Sequence, residues 1–419
     1  MKLIRLTGIA TIILSSFSGL AQNTSSPYTA IGIGEIHERT TSHQAGMGDV
    51  GIGMPQPLSI NTLNPANLVL HSFSIFELAI QAESRNLSSA QGSSSTGSSG
   101  YKYLSFAFPI IPYKWTTSLS MNPYSSVNYN LTTSAPVEGS EDEADISLVG
   151  SGGLSEFRFS NGFKLTEELS IGLRTSFLFG FTEHTNDYFL KGDGFSQIRN
   201  VYTETTNYKG FDYGVGVSYR KTFENKKLLF LGATYDLAND LSGSRDVVFS
   251  SGTFGDISDP FADRSIDDHF SLPSKIGIGL GLIKENHYSL GVDVTWSDWD
   301  QNPDLSSNQN SEYKDSFTAG VGFEYVPEYD DVDNYLARVR YRIGFKYEQL
   351  PYLFNGKQIN DFGINFGWSL PVRGVSSLNM AFKYGGRGTT KNDLVRENYF
   401  KFTLGATLND RWFVRRKYN

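Results

Sequence analysis

The sequence predicts an all-β fold: a fourteen-stranded antiparallel transmembrane β-barrel with an N-terminal plug, or hatch, in the lumen. Three observations predict it. From residue 72 onward, apolar residues recur with period two. The connections between these stretches alternate between short and long, as they do in outer-membrane barrels. The 419 residues include 42 Gly, 30 Phe and 23 Tyr but no Cys, a composition suited to many strands joined by tight turns.

Taken in order, Lys2 and Arg5 precede an apolar stretch over residues 6–20, and Gly19-Leu20-Ala21 supplies small residues for cleavage. Residues 1–21 therefore read as a secretory signal peptide, and the rival reading is a membrane anchor helix. Beyond residue 22 no run reaches the roughly 18 apolar residues of a spanning helix, so the chain can cross a membrane only as a closed barrel. Residues 22–71 are Gly-rich and irregular, which suits a plug inside the barrel; the alternative is a disordered periplasmic tail. Residues 72–408 form the expected barrel, and residues 409–419 a periplasmic C-terminal tail.

Strands are predicted over 72–84, 100–110, 113–130, 144–164, 167–183, 196–222, 227–238, 273–284, 287–300, 313–326, 334–348, 358–370, 375–386 and 396–408. In one of them Ile276, Ile278, Leu280 and Leu282 alternate with Lys275, Gly277, Gly279 and Gly281. The long connections, 239–272 above all, are placed outside the cell. Interfacial girdles are expected from Tyr101, Tyr103, Tyr113, Trp115, Trp296, Trp299, Trp368, Tyr384 and Tyr399.

Composition and motifs narrow the function. With 36 Lys and Arg against 44 Asp and Glu, the net charge is −8 and no basic block occurs, so no nucleic-acid partner is expected. The lack of Cys removes disulfides, thiolate metal sites, a Cys nucleophile and a Cys-linked lipid anchor. No catalytic motif or cofactor signature stands out, and the six histidines lack metal-ligand spacing. Gly46, Gly48 and Gly51 spell G-x-G-x-x-G, but no strand or helix pattern flanks them, so tight packing against the barrel wall is expected rather than a dinucleotide site. Glu138, Glu141, Asp142, Glu143 and Asp145 form an acidic loop, either a solvated face or a cation site. Pro123 follows Asn122 inside the third strand, where a residue without an N–H must break the ladder. Asn122, Pro123, Tyr124 and Ser125 therefore mark a rim bulge or a lateral opening in the wall. Arg338, Arg340, Arg342 and Lys346 share the inward face of strand 334–348, with Lys383 and Lys401 on later strands. They read either as partners of the plug carboxylates Glu35, Glu38 and Asp49 or as a site for an anionic head group.

The Gly-rich stretch over residues 45–53, the motif Asn64-Pro65-Ala66 before the first strand, and Pro123-Tyr124-Ser125 in the third resemble the FadL/TodX family of outer-membrane transporters for hydrophobic compounds. The ending Asn409-Asp410-Arg411-Trp412-Phe413 resembles members from Bacteroidota-type bacteria. The resemblance implies a monomeric barrel in the Gram-negative outer membrane, a hydrophobic small-molecule ligand held against the hatch, and lateral release into outer-membrane lipid beside the strand-three kink. The expected function is passive uptake of a long-chain fatty acid or hydrocarbon-like compound. The alternative is a non-transporting barrel subunit, or cargo shuttle, of an outer-membrane secretion or assembly complex, with envelope proteins as partners. A secreted enzyme ranks third, for want of chemistry.

Overall fold

The computed structural model describes residues 25–137, 143–191, 198–224, 226–253, 256–257, 262–299, 311–372, 374–392 and 394–411. The signal-peptide segment, three acidic-loop residues (Glu138, Glu141 and Asp142) and all of the C-terminal tail beyond Arg411 lie outside the described residues.

Fourteen antiparallel strands close into one barrel. They are β1 (Ser74–Ser89), β2 (Gly92–Ile111), β3 (Trp115–Pro123, resumed as Tyr129–Pro136), β4 (Glu143–Lys164), β5 (Leu169–Lys191) and β6 (Ile198–Thr222). Then follow β7 (Lys227–Asp236 and Asn239–Thr253), β8 (Ala262–Leu272 and Ser274–Lys284), β9 (Tyr288–Asp298) and β10 (Ser311–Tyr313 and Ser316–Tyr325). The last four are β11 (Arg340–Phe354), β12 (Lys357–Pro371), β13 (Ser377–Arg387) and β14 (Arg396–Asp410). Closure is made by β1 on β14, from Ser74 opposite Asp410 to Ser88 opposite Arg396. Closure is what lets strands cross a bilayer, because no backbone edge then faces lipid unpaired.

Alternation sorts the side chains. Outward positions carry a belt of exposed apolar groups, such as Leu173 (51 %) and Ile278 (63 %), which lipid rather than water suits. Inward positions are polar and buried; Glu77, Glu156 and Asn365 are each 0 % exposed.

Several connections are shorter than expected, because strands run on beyond the apolar belt. The β1–β2 turn shrinks to residues 90–91 and the β11–β12 turn to residues 355–356, and the predicted loop 239–272 is largely a β-hairpin extension. In the β1–β2 and β7–β8 extensions polar residues occupy most positions on both faces, so their sequence shows no apolar alternation, yet their backbones still pair. Strand β11 starts later than expected. Asn334 accepts from Leu336 N and caps a short 3₁₀ turn, Tyr335–Arg338, so Arg338 precedes the strand instead of joining its inward row. Three expected girdle residues face inward. Tyr103 does so because a register shift between Ala79 and Ile80 changes its parity. Tyr399 shares the parity of the inward Lys401, and Trp299 lies past the end of β9, stacked on Tyr313 at 5.3 Å.

Residues 25–71 pack inside the barrel. Their one-turn helix Ser42–Ala45 lies against β12, β13 and β14, and their 3₁₀ turn Pro65–Leu70 against β3 to β6. An aromatic and aliphatic cluster of Ile33, Tyr124, Leu178, Tyr208, Phe270 and Trp299 joins this segment to the wall on the long-loop side.

Candidate functional site

The N-terminal segment meets the wall backbone to backbone. Gly48 has φ +67°, and a Cβ there would fall 2.6 Å from Val321 O and 2.7 Å from Phe345 O. A Cβ on Gly46 would lie 2.9 Å from Gly367 Cα. Glycine on both surfaces makes this approach possible. Gly51 N and Ile52 N donate to the Asp293 carboxylate at 2.6 and 2.7 Å, and Gly53 N at 3.3 Å. Asn64 caps the 3₁₀ turn by accepting from Ala66 N at 3.0 Å, and its amide donates to Ile52 O and Val217 O, both at 3.0 Å. Pro65 and Ala66 press against Gly172 of β5.

Charge locks the same surface. Glu38 takes Lys383 at 2.6 Å and Lys346 at 3.4 Å, and Lys401 stands 3.8 Å away. Asp49 adds a second contact to Lys383 at 3.3 Å. Glu35 holds Arg387 at 2.8 Å and Arg85 at 3.2 Å. Burial alone would raise the carboxyl groups of Glu35 and Glu38, but the cations beside them reverse this and hold both well below the usual carboxylate range. Arg39 reaches Asp212 at 3.3 Å and Glu156 at 3.7 Å and lies over the Tyr124 ring.

The predicted cationic row divides. Lys346 and Lys383 face the N-terminal carboxylates. Arg340 and Arg342 both bind Glu324 of β10, at 3.0 and 2.7 Å, and His43 Nε2 lies 3.0 Å from the same carboxylate. Arg338 stands apart at the short-turn end, over the Tyr335 ring.

Strand β3 breaks where Pro123 falls. Its ladder with β2 ends at Met121, opposite Leu104, and its first ladder with β4 ends at Pro123, opposite Ser155. Asn122 Nδ2 donates to Glu156 at 2.8 Å. Ser125 and Ser126 then turn to pair with Ile36 and Glu35. His37 N donates to Tyr124 O and Ser26 N to Asn128 O, both at 2.9 Å. Residues 92–103 of β2 thus have β1 as ladder partner but no rung to β3, and the N-terminal segment lies behind the gap.

Two cavities share no lining residue. One, of about 210 Å³, lies between the N-terminal segment and the wall, among Glu38, Arg39, Asp49, Arg174, Asp236 and Lys275. The other, of about 490 Å³, opens at the short-turn end beside His43, Gln56, Glu324, Arg338 and Arg342. Among the described residues no group of three or more acidic or histidine side chains could hold a metal ion.

Sequence reasoning did not single out Arg39, Arg85, Arg158, Arg174, Asp361 or Arg387 as lumen residues. Their signal was present, since each charged strand residue falls on the parity opposite the apolar belt. What the sequence withheld was which strand would face which.

The fold matches three solved structures along nearly their whole length. A Pseudomonas aeruginosa FadL homologue aligns with a TM-score of 0.58 at 13% identity, covering 93% of this chain and 99% of that one. The toluene transporter TodX of Pseudomonas putida gives 0.56 at 15% identity, covering 90% and 99%. The toluene transporter TbuX of Ralstonia pickettii gives 0.58 at 13% identity, covering 89% and 99%. At such identities the likeness establishes a FadL-type fold. No curated protein matches the chain. The sequence itself is matched over residues 3–419 by one family model, so this barrel belongs to the BamG family.

Proposed function

We propose that this protein resides in the outer membrane as a sealed FadL-type barrel and serves as a non-transporting subunit of a secretion or assembly complex, with envelope proteins as partners. The observation that carries the reading is the charge lining of the lumen. The groups a transporter would leave for its cargo are committed to the plug: Glu38 to Lys346 and Lys383, Glu35 to Arg85 and Arg387. The cavity beside the plug carries Glu38, Arg39, Asp49, Arg174, Asp236 and Lys275 among its lining residues, charges that an apolar solute cannot solvate. The aromatic cluster around Phe270 and Trp299 fills the space on the long-loop side. Stoichiometric co-purification with envelope proteins from mild detergent, together with labelled fatty-acid uptake unchanged by deletion of the gene, is the expected result. Uptake lost on deletion and restored by the gene would overturn the reading.

A second reading, passive uptake of a hydrophobic small molecule with lateral release into the membrane, is favoured by the ladder break at Met121 and Pro123. A bifunctional thiol cross-link between cysteines at Thr96 and Asn130, across the gap, would then abolish uptake. Unaffected uptake would remove the lateral route.

A further inference from the structure

The larger cavity forms a vestibule at the short-turn end, the periplasmic end of outer-membrane barrels. Its volume, about 490 Å³, falls within the range of ligand-binding pockets, roughly 300–1,000 Å³. Four arginines line it, Arg220, Arg338, Arg340 and Arg342, against two carboxylates, Glu285 and Glu324. Both of Glu324's oxygens are taken, by Arg340 and Arg342. Arg338 has only the face of Tyr335 as a partner among the described residues, and one terminal nitrogen of Arg342, Nη1, has none. The acidic residues of the neighbouring turn, Asp330, Asp331 and Asp333, do not line the cavity.

A second, independent observation lies on the opposite wall. Gln56 is 5 % exposed, yet neither its amide nitrogen nor its amide oxygen has a partner. Buried polar groups are nearly always satisfied, so a primary amide with both ends free calls for a missing complement. It stands between Pro55 and Pro57, which have no N–H and restrict the backbone. The stretch that follows it is tied down. His71 Nδ1 lies 3.1 Å from Pro57 O, and Asn409 donates to Leu58 O at 3.0 Å. Phe73, Phe230 and Ile283 supply an apolar floor.

A free primary amide offers N–H donors at one end and an acceptor oxygen at the other, which complement the carbonyl and N–H of an extended peptide. An excess of guanidinium groups is the complement of a carboxylate. We propose that the vestibule binds an extended acidic segment of a partner protein, with Gln56 on its backbone and Arg338 and Arg342 on its carboxylates. This rests on the subunit reading and names the chemistry of the partner. An inorganic anion would leave the apolar floor uncovered.

The test titrates purified protein against a fluorescein-labelled ten-residue peptide of Glu and Thr with one central Leu, followed by anisotropy. A Gln-for-Glu counterpart is the control. The acidic peptide binds at least ten-fold more tightly than the neutral one. Arg338→Gln, at a partly exposed position, weakens it at least five-fold and leaves heat-modifiable migration intact. Gln56→Leu weakens both peptides. Equal binding of the two peptides, indifference to Arg338→Gln, or displacement by phosphatidylglycerol but not by unlabelled peptide would overturn the proposal. Recovery of the wild type from membranes without envelope proteins removes the subunit reading as well. Recovery with them, alongside equal peptide binding, removes the vestibule proposal alone.

Discussion

Asp293 accepts from three consecutive backbone N–H groups of the plug, and its removal leaves all three buried. An unsatisfied buried donor costs about 1–3 kcal/mol, so Asp293→Ala destabilises the docked plug by roughly 3 kcal/mol or more. A lower midpoint for heat-modified migration is expected, with Asp293→Asn milder because it keeps one acceptor. An unchanged midpoint would mean that packing alone holds the loop. His43 makes acid a second probe. Burial first, then the Arg342 charge, pushes its imidazole down to about 4, although Glu324 pulls the other way and Arg340 adds to the lowering. The folded value lies below the free value of about 6.5, so the contribution of neutral His43 is complete above pH 6.5 and is lost as pH falls towards 4. His71, likewise about 4, acts in the same direction. Weaker hydrogen-exchange protection over residues 40–50, relative to the intrinsic rate at each pH, is expected as pH falls through that window, and His43→Gln shrinks the response. Glu35 and Glu38 fail only at lower pH, since their carboxyls are held below the ordinary range.

At the scale of elements, plug and wall meet along glycine. Gly344 of β11 faces Gly48 N and the Met47 carbonyl so closely that a Cβ has no room. Gly344→Val should therefore leave the strand paired and push the plug away. The expected outcome is proteolytic cleavage within residues 40–55 of a barrel that still migrates as folded; a resistant plug would show that the wall yields instead. Most of these elements are legible in the sequence. Alternation such as Ile276 to Leu282 marks the outer face, and the Pro123 break is visible because a residue without an N–H cannot hold a ladder. The polar extensions of β1, β2 and β7 are not legible, since mostly polar residues on both faces leave no pattern. Nor is the parity change at Tyr103, which follows from a bulge at Lys102 on its own strand, where Ala79 pairs with Tyr103 and Ile80 with Tyr101. The lumen charges can be read one by one, but their pairing cannot. Arg85 meets Glu35 across 50 residues and Glu397 across 312, distances that only closure supplies.

For the whole molecule, a closed ladder makes unfolding cooperative, and the protein should keep a compact, fast-migrating form in SDS until heated. The two ends also report orientation. Ser242 lies on the long-loop side and Asn286 in a tight turn on the other, both exposed. Cysteines placed there should label oppositely with an impermeant thiol reagent on intact cells, and equal labelling would contradict the orientation.

Ser26 Oγ donates to Glu397 at 2.5 Å, and the two residues stand 371 positions apart. The beginning of the hatch thus finds its partner only after nearly all of the polypeptide has been made. The start of the hatch cannot complete its contacts while the chain is still emerging. Those contacts close last, so the yield depends on whatever shields the chain before they form.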